Sequence, residues 1–388
     1  MIHTLAIANY RSIRELVLPM GQLNLVTGAN GSGKSNLYRG LRLLCEVAQG
    51  NAIHALAREG GLESVLWAGP ESFSRSVKQG EHPVQGGPRR EAVSLKLGFA
   101  TDTFGYSIEF GLPSPVPGTM FSRDPEIKRE SIWFGDRWNE RRAIVERSGP
   151  MVKSRDEAGH WQVIEQHLPT FDSLLARLAD PKAAPEALML REELRAWRFY
   201  DHFRCDAGSP ARQPQIAVRT PILSDDGHDL PAAWRTIVEI GDGEGLAAAV
   251  ADAFPGAEVS IQSFGGRFEL LFRQPGLLRS LTQAELSDGT LRYLLLIAAL
   301  MTPRPPPLMV LNEPETSLHP DLLPPLGRLM RKYAEDNQLW VVSHAPSLQE
   351  VLEGDSATNP ILLDKELSET FIQGQNLLDT PNWSWPRR

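Results

Sequence analysis

The sequence predicts an α/β fold: a mixed or parallel central sheet with covering helices, an antiparallel meander and a helical insertion. Three observations predict it. Short apolar strands alternate with helical segments from Leu308 to Leu363, the pattern of a parallel sheet. Apolar and polar residues alternate over 93–99 and 106–112 on either side of a turn at Thr101 to Gly105, the pattern of an antiparallel hairpin. Near the start, Gly28-Ala29-Asn30-Gly31-Ser32-Gly33-Lys34-Ser35 satisfies G-x4-G-K-S between an apolar strand and an amphipathic helix, the context a phosphate-binding P-loop requires.

Taken in order, strands are expected at Leu5 to Ala8, Leu16 to Leu18 and Leu23 to Thr27, the last a buried strand feeding the glycine loop. A helix follows from Lys34, with Leu37, Leu41, Leu44 and Ala48 on one face. Residues 69–90 are rich in Gly, Pro, Ser and charge and read as an exposed loop. The meander continues to a strand at Glu130 to Phe134. Residues 171–204 read as helical, broken into pieces by Pro181 and Pro185. A Pro-, Asp- and Gly-rich loop covers 206–232, and 233–275 reads as a helix and a strand pair about Gly265-Gly266. The last third gives a helix from Ser287, strand Leu308 to Leu311, helix from Pro320, strand Leu339 to Val342, helix from Pro346 and strand Ile361 to Leu363. The domain reading is one head formed from 1–165 and 233–388, with 166–232 as a helical lid or insertion.

Composition narrows the function classes. The 388 residues are 41% hydrophobic and 23% charged, ordinary globular values. Formal net charge is −8, so a nucleic-acid contact needs a local basic patch. Cys45 and Cys205 are too few for a disulfide framework and read as reduced thiols of a cytoplasmic protein. No basic start followed by an apolar run marks a signal peptide, and no uninterrupted apolar run is long enough to span a bilayer.

The loop glycines let successive backbone N–H groups turn toward a phosphate, and the following helix adds its positive dipole end. Gly28, Asn30, Gly31, Ser32, Gly33, Lys34, Ser35 and Asn36 therefore form the expected nucleotide site, with Lys34 on the β- and γ-phosphates and Ser35 on Mg²⁺. Leu308-Met309-Val310-Leu311-Asn312-Glu313 is an apolar strand ending in polar groups, where such a protein places its second acidic element. Glu313 is the candidate general base for the attacking water. At 312 an Asp normally helps hold the Mg²⁺ shell; Asn312 keeps an oxygen acceptor and loses the charge, which predicts slow turnover. Leu286-Ser287-Asp288-Gly289-Thr290 opens a helix with Ser287 as a good N-cap, and Val341-Val342-Ser343-His344 ends a strand with a histidine.

In this order the pieces resemble an ABC-type ATPase head of the RecF, SMC and OLD class. Gly28–Ser35 matches Walker A, Leu286–Thr290 resembles the signature motif, Leu308–Glu313 is similar to Walker B, Thr316-Ser317-Leu318-His319 to the D-loop and His344 to the H-switch. The opening IANYRS…LNLVTGANGSGKSN and the closing ELSDGT…LNEPETSLHP…VVSHAPSL resemble RecF-like ATPases grouped with the AAA family. The resemblance implies a homodimer with ATP held between two copies. Ser287 and Gly289 of one copy then contact the γ-phosphate held by the other, while Glu313 activates water and His344 holds the γ-phosphate or orients that water. Arg58 is either the arginine that SMC-like heads carry near nucleotide and DNA or an exposed helix-end residue beside Glu59 and Gly60. A Q-loop is not located among Gln49, Gln79 and Gln85.

The long separation of Walker A from Ser287 differs from transporter ATPases, and no sustained heptad predicts a long coiled-coil arm. Too few residues follow His344 for an appended nuclease domain, so Trp383 and Trp385 are expected to pack on the head or meet a partner. Two functions stay open. One is a DNA-associated task in repair, recombination or anti-phage defence, with duplex DNA meeting Arg137, Arg141 and Arg142 or Arg191, Arg195, Arg198 and Arg204. The other is an ATP-dependent dimerisation switch read by a protein partner such as a separate nuclease or toxin, with no membrane involved.

Overall fold

The computed structural model describes residues 1–71, 77, 93–114, 117–178, 180–201, 203–354, 356–376 and 380–386. Most of the expected loop at 69–90, with Gln79 and Gln85, lies outside the described residues. The chain falls into two compact units, one of Met1–Met20, Gly28–Ala196 and Ile361–Arg388, the other of Gly21–Thr27 and Trp197–Pro360.

The first unit is built on an eight-stranded sheet. Its order is Ile13–Pro19, Ile2–Tyr10, Leu95–Thr101, Phe104–Gly111, Glu126–Phe134, Ala143–Ser148, Met151–Arg155 and Trp161–Glu165. All pairs are antiparallel, so the meander runs three strands beyond the expected one at Glu130 to Phe134. Those later strands are short and interrupted by charge, which hid their alternation from the sequence. Helix Lys34–Gln49 lies on the sheet and buries Leu37, Leu41, Leu44 and Ala48 as expected, with Tyr38, Leu43 and Val47 as well. It comes close: a Cβ on Gly40 would sit 2.6 Å from Ile7 Cδ1.

Inside this unit Glu130 and Arg147 form a fully buried ion pair at 2.7 Å. Tyr106 Oη, Ser173 Oγ and the Leu174 N–H also donate to the carboxylate, and Arg147 donates to the carbonyls of Gly149, Pro169 and Asp172. Every strong polar group of the network thus has a partner, the condition for a buried charge to be tolerated. Trp383 packs edge-on against Trp133 at 5.5 Å, and Trp385 donates to Glu15, so the C-terminal tryptophans pack within this unit. The strand expected at Ile361 to Leu363 is longer, Thr358–Glu366, and turns back into Glu369–Ile372. Leu363 to Glu366 pair antiparallel with that second strand.

The second unit carries the parallel sheet. Arg198–Tyr200, Met309–Asn312, Leu339–Val342 and the phosphate-loop strand Leu23–Gly28 pair in that order, all parallel. Helices Asp288–Leu300, Leu323–Ala334 and Pro346–Glu353 follow or separate these strands. Their apolar faces join Leu25, Met309, Leu311 and Val341 in one buried core. A second, antiparallel sheet pairs Arg267–Arg273 with Gln215–Ile216, Glu258–Phe264 and Leu281–Thr282.

Residues 171–204 differ from the helical expectation. Only Leu174–Arg177 and Pro185–Ala196 are α-helical, and Arg198–Tyr200 is a strand. Adjacent aromatics at 199 and 200 favour a strand, and the parallel partner Met309–Leu311 supplies its hydrogen bonds. The helix expected from Pro320 begins as one 3₁₀ turn, Pro320–Leu322. The helix expected from 233 is two, Leu230–Ile240 and Gly243–Ala253, separated at Gly241. Cys45 and Cys205 are free and buried, and burial raises the Cys205 thiol's pKa. No helix among the described residues is long and apolar enough to cross a membrane.

Candidate functional site

The phosphate loop starts where strand Leu23–Gly28 ends, and helix Lys34–Gln49 begins directly after Gly33. Two glycines are forced there. Gly28 has φ 139° and Gly33 φ 113°, and an added Cβ would lie 2.3 Å from the Leu363 carbonyl oxygen or 2.2 Å from Thr370 Oγ1. Gly31, at φ 82°, faces open space, which is where a phosphate needs clearance. Lys34 is buried, and its ammonium donates to the carbonyls of Gly28 at 2.6 Å and Ala29 at 2.8 Å. The Asn36 and Leu37 N–H groups both donate to the Gly33 carbonyl at 3.0 Å, and the positive end of the helix dipole lies at the loop. Ser35 is exposed in this first turn, while Ser32 Oγ is buried with no hydrogen-bond partner among the described residues. Asn30 is exposed, and Asn36 is half-buried, donating to Ser12 Oγ at 2.8 Å.

A brace behind the loop was not visible in the motif. Thr370 Oγ1 donates to the Ser32 carbonyl at 2.8 Å and lies 2.7 Å from Ser12 Oγ. Since the single Thr370 hydroxyl proton goes to Ser32, Ser12 donates to Thr370 and accepts from Asn36. Only the serine in IANYRS hinted at it.

In the second unit the carboxyl ends of three parallel strands lie side by side: Val342 is in register with Asn312 on one side and with Val26 on the other. Asn312 is half-buried at the end of its strand. Glu313 has φ 48°, a left-handed turn that swings its exposed side chain off the strand end. Its Oε1 lies 3.3 Å from His344 Nε2. The structure thus brings together the expected base and the expected switch histidine. Glu315, which the motif reading passed over, joins them: its Oε1 accepts from Ser343 Oγ and from the N–H groups of His344 and Ala345.

Ser287 caps helix Asp288–Leu300, its Oγ accepting from the Thr290 N–H at 3.1 Å. A Cβ on Gly289 would meet the Ser317 carbonyl at 2.8 Å, so the glycine lets the cap lie against the segment 316–319. Arg292 donates to the Thr316 and Phe203 carbonyls, both at 2.8 Å. Arg212 is a second residue the sequence did not single out. Its buried guanidinium donates to the carbonyls of Cys205, Ala284 and Leu286 and to Asp288 Oδ1 at 2.6 Å. One planar donor fork thereby fixes the turn that presents Ser287.

Several of the expected basic residues lie beside carboxylates. Arg58 is exposed and pairs with Glu46 at 3.1 Å. Arg137 and Arg142 flank Asp136, Arg191 and Arg195 flank Glu192, and Arg204 pairs with Asp206 at 2.9 Å. Arg198 lies in the strand Arg198–Tyr200.

Comparison with known families places residues 23–349 in the family described as AAA domain, putative AbiEii toxin, Type IV TA system. That span holds the loop, Ser287, Glu313, Glu315 and His344, and excludes Ser12 and Thr370. No curated protein matches the chain. Among solved structures, it is similar to an SMC head bound to the C-winged helix domain of ScpA, with 13% identity and TM-score 0.48 over 97% of this chain and 98% of that one. The SMC head domain from Thermotoga maritima matches at 14% identity and TM-score 0.45, over 97% and 99%. An SMC head with an extended coiled coil, bound to the C-terminal domain of ScpA derived from Pyrococcus furiosus, matches at 12% and 0.46, over 96% and 95%.

Proposed function

Because the chain belongs to the AAA-domain family described as putative AbiEii toxin, Type IV TA system, we propose that it is an ATPase of the ABC type that dimerises around ATP. The observation that carries this is the phosphate loop: three glycines at positive φ and a buried Lys34 set in one turn at the start of a helix. Lys34 and the loop N–H groups would hold the phosphates, and Ser35 and Asn312 would hold a Mg²⁺ that, when bound, would screen their charge. Glu313 takes the proton of the attacking water, and His344 orients that water or the γ-phosphate. Ser287 and the Gly289 N–H of a second copy complete the cradle, since a capped helix start is an anion site. ATP then holds two copies together, and its hydrolysis releases them.

For the task this serves, we favour a dimerisation switch read by a protein partner over a DNA clamp. Of the arginines expected to meet DNA, Arg137 and Arg142 share Asp136, Arg191 and Arg195 share Glu192, and Arg204 pairs with Asp206, which weakens the case for a face that tracks phosphates. The family's description as a putative toxin fits a partner-read switch. Steady-state ATP hydrolysis with and without duplex DNA, with Lys34→Ala as blank, tests both parts. Activity above the blank and unmoved by DNA supports this reading. Stimulation by DNA returns the clamp, and no activity above the blank removes the enzyme.

A further inference from the structure

Glu315 is bound to the segment that carries His344 and has no part in the chemistry proposed above. One of its oxygens, Oε1, accepts three hydrogen bonds: from Ser343 Oγ at 2.8 Å, from the His344 N–H at 2.6 Å and from the Ala345 N–H at 3.1 Å. The other oxygen is buried without a protein partner among the described residues. Helix Pro346–Glu353 starts here with Ala345 at its N-cap, which offers no side-chain cap, and with proline in its first turn. Glu315 therefore holds the two backbone N–H groups at and just before the N-cap, fixing the chain as it enters the helix. A carboxylate is suited to this, because charge-assisted bonds to backbone N–H groups are about twice as strong as neutral ones. The two carboxylates of Glu313-Pro314-Glu315 thus divide the histidine between them. One faces its ring nitrogen at 3.3 Å, and the other grips its backbone.

We propose that Glu315 is a positioning residue for hydrolysis, holding the backbone of His344 so that its ring stays against Glu313. This rests on the reading of Glu313 and His344 as the hydrolytic pair. A shift of about 1 Å in a supporting group can cost on the order of 100-fold in rate, so loosening this grip is expected to be visible.

The test has two arms. In the first, kcat and KM for ATP are measured for the wild type, Glu315→Ala, Glu315→Gln, His344→Ala and the double variant Glu315→Ala/His344→Ala. Glu315→Ala is expected to lower kcat about 10- to 100-fold with little change in KM. Glu315→Gln, which keeps one acceptor oxygen, recovers most of the rate. In the His344→Ala background, removing Glu315 costs little more, because both changes disable one device. In the second arm, amide hydrogen exchange is followed over residues 343–349 in wild type, Glu315→Ala and Glu313→Gln. Protection of the His344 and Ala345 amides is expected to fall in Glu315→Ala alone. The proposal is overturned if Glu315→Ala costs as much without His344 as with it, if KM rises in place of kcat falling, or if exchange at 344–345 is unmoved. An inactive wild type whose amides are released by Glu315→Ala would instead overturn the hydrolytic reading and support the grip on His344.

Discussion

Asn312 stands at the end of its strand as a half-buried amide. In the proposed site it would be a neutral Mg²⁺ ligand where an aspartate would carry a full negative charge, so the cation would be less tightly held and turnover slower. Asn312→Asp is therefore expected to lower the Mg²⁺ concentration for half-maximal activity several-fold and to raise kcat, read from a Mg²⁺ titration of the steady-state rate. An unchanged titration would separate Asn312 from the metal. Thr370 acts on the loop through hydrogen bonds to Ser32 and Ser12. Thr370→Val keeps the shape that Gly33 packs against and removes the hydroxyl. The Ser32 carbonyl then loses its donor, at a cost of about 1–3 kcal/mol, so nucleotide affinity should fall roughly 5- to 100-fold while the fold persists. Equilibrium binding of a fluorescent ATP analogue, beside a melting curve, checks this.

At the scale of elements, the signature turn depends on Arg212. Its guanidinium is the common donor to the carbonyls before Ser287 and to Asp288 within the first turn. Arg212→Met removes those donors from buried carbonyls and should abolish ATP-induced dimerisation while leaving ATP binding to Lys34 and its loop intact. Light scattering with ATP, in a Glu313→Gln background that stalls hydrolysis, reads the difference. In the antiparallel unit, Glu130→Gln leaves Arg147 buried and partly unpaired and is expected to destabilise that unit by about 3–5 kcal/mol. Chemical denaturation measures it, and a loss under about 1 kcal/mol would show that the pair is not structurally needed.

Legibility in the sequence follows range. The loop, Ser287, Glu313 and His344 stand in motifs whose chemistry is set by neighbours a few residues away, and strand Leu339–Val342 and the helix start at Pro346 fell where periodicity put them. Thr370 meets Ser32 across 338 residues, and Arg212 meets Asp288 across 76, separations that no local pattern reports. Glu315 was in plain view, but its acceptors' partners lie on the next strand end. The strand Arg198–Tyr200 has only three residues and takes its conformation from a partner more than a hundred residues later. The added meander strands 143–165 alternate too weakly, with exposed Trp161 and Val163 among them, to declare a buried face.

For the whole molecule, an acidic chain with five of its seven candidate DNA-binding arginines beside carboxylates is expected to bind duplex DNA weakly. A log–log plot of affinity against salt should then show a shallow slope, since each phosphate contact adds about 0.9 to it. A steep slope would make DNA the partner. In the proposed dimer ATP is held between two copies, each lending Ser287 and Gly289 to the other's phosphate loop. Mixing two inactive variants isolates that sharing. Lys34→Ala cannot hold ATP in its own loop, and Ser287→Ala cannot complete its partner's. In a mixed dimer one site has both parts intact. ATP hydrolysis is expected to reappear on mixing and to rise with the fraction of mixed dimers. A mixture no more active than its separate components, beside an active wild type, would contradict that sharing.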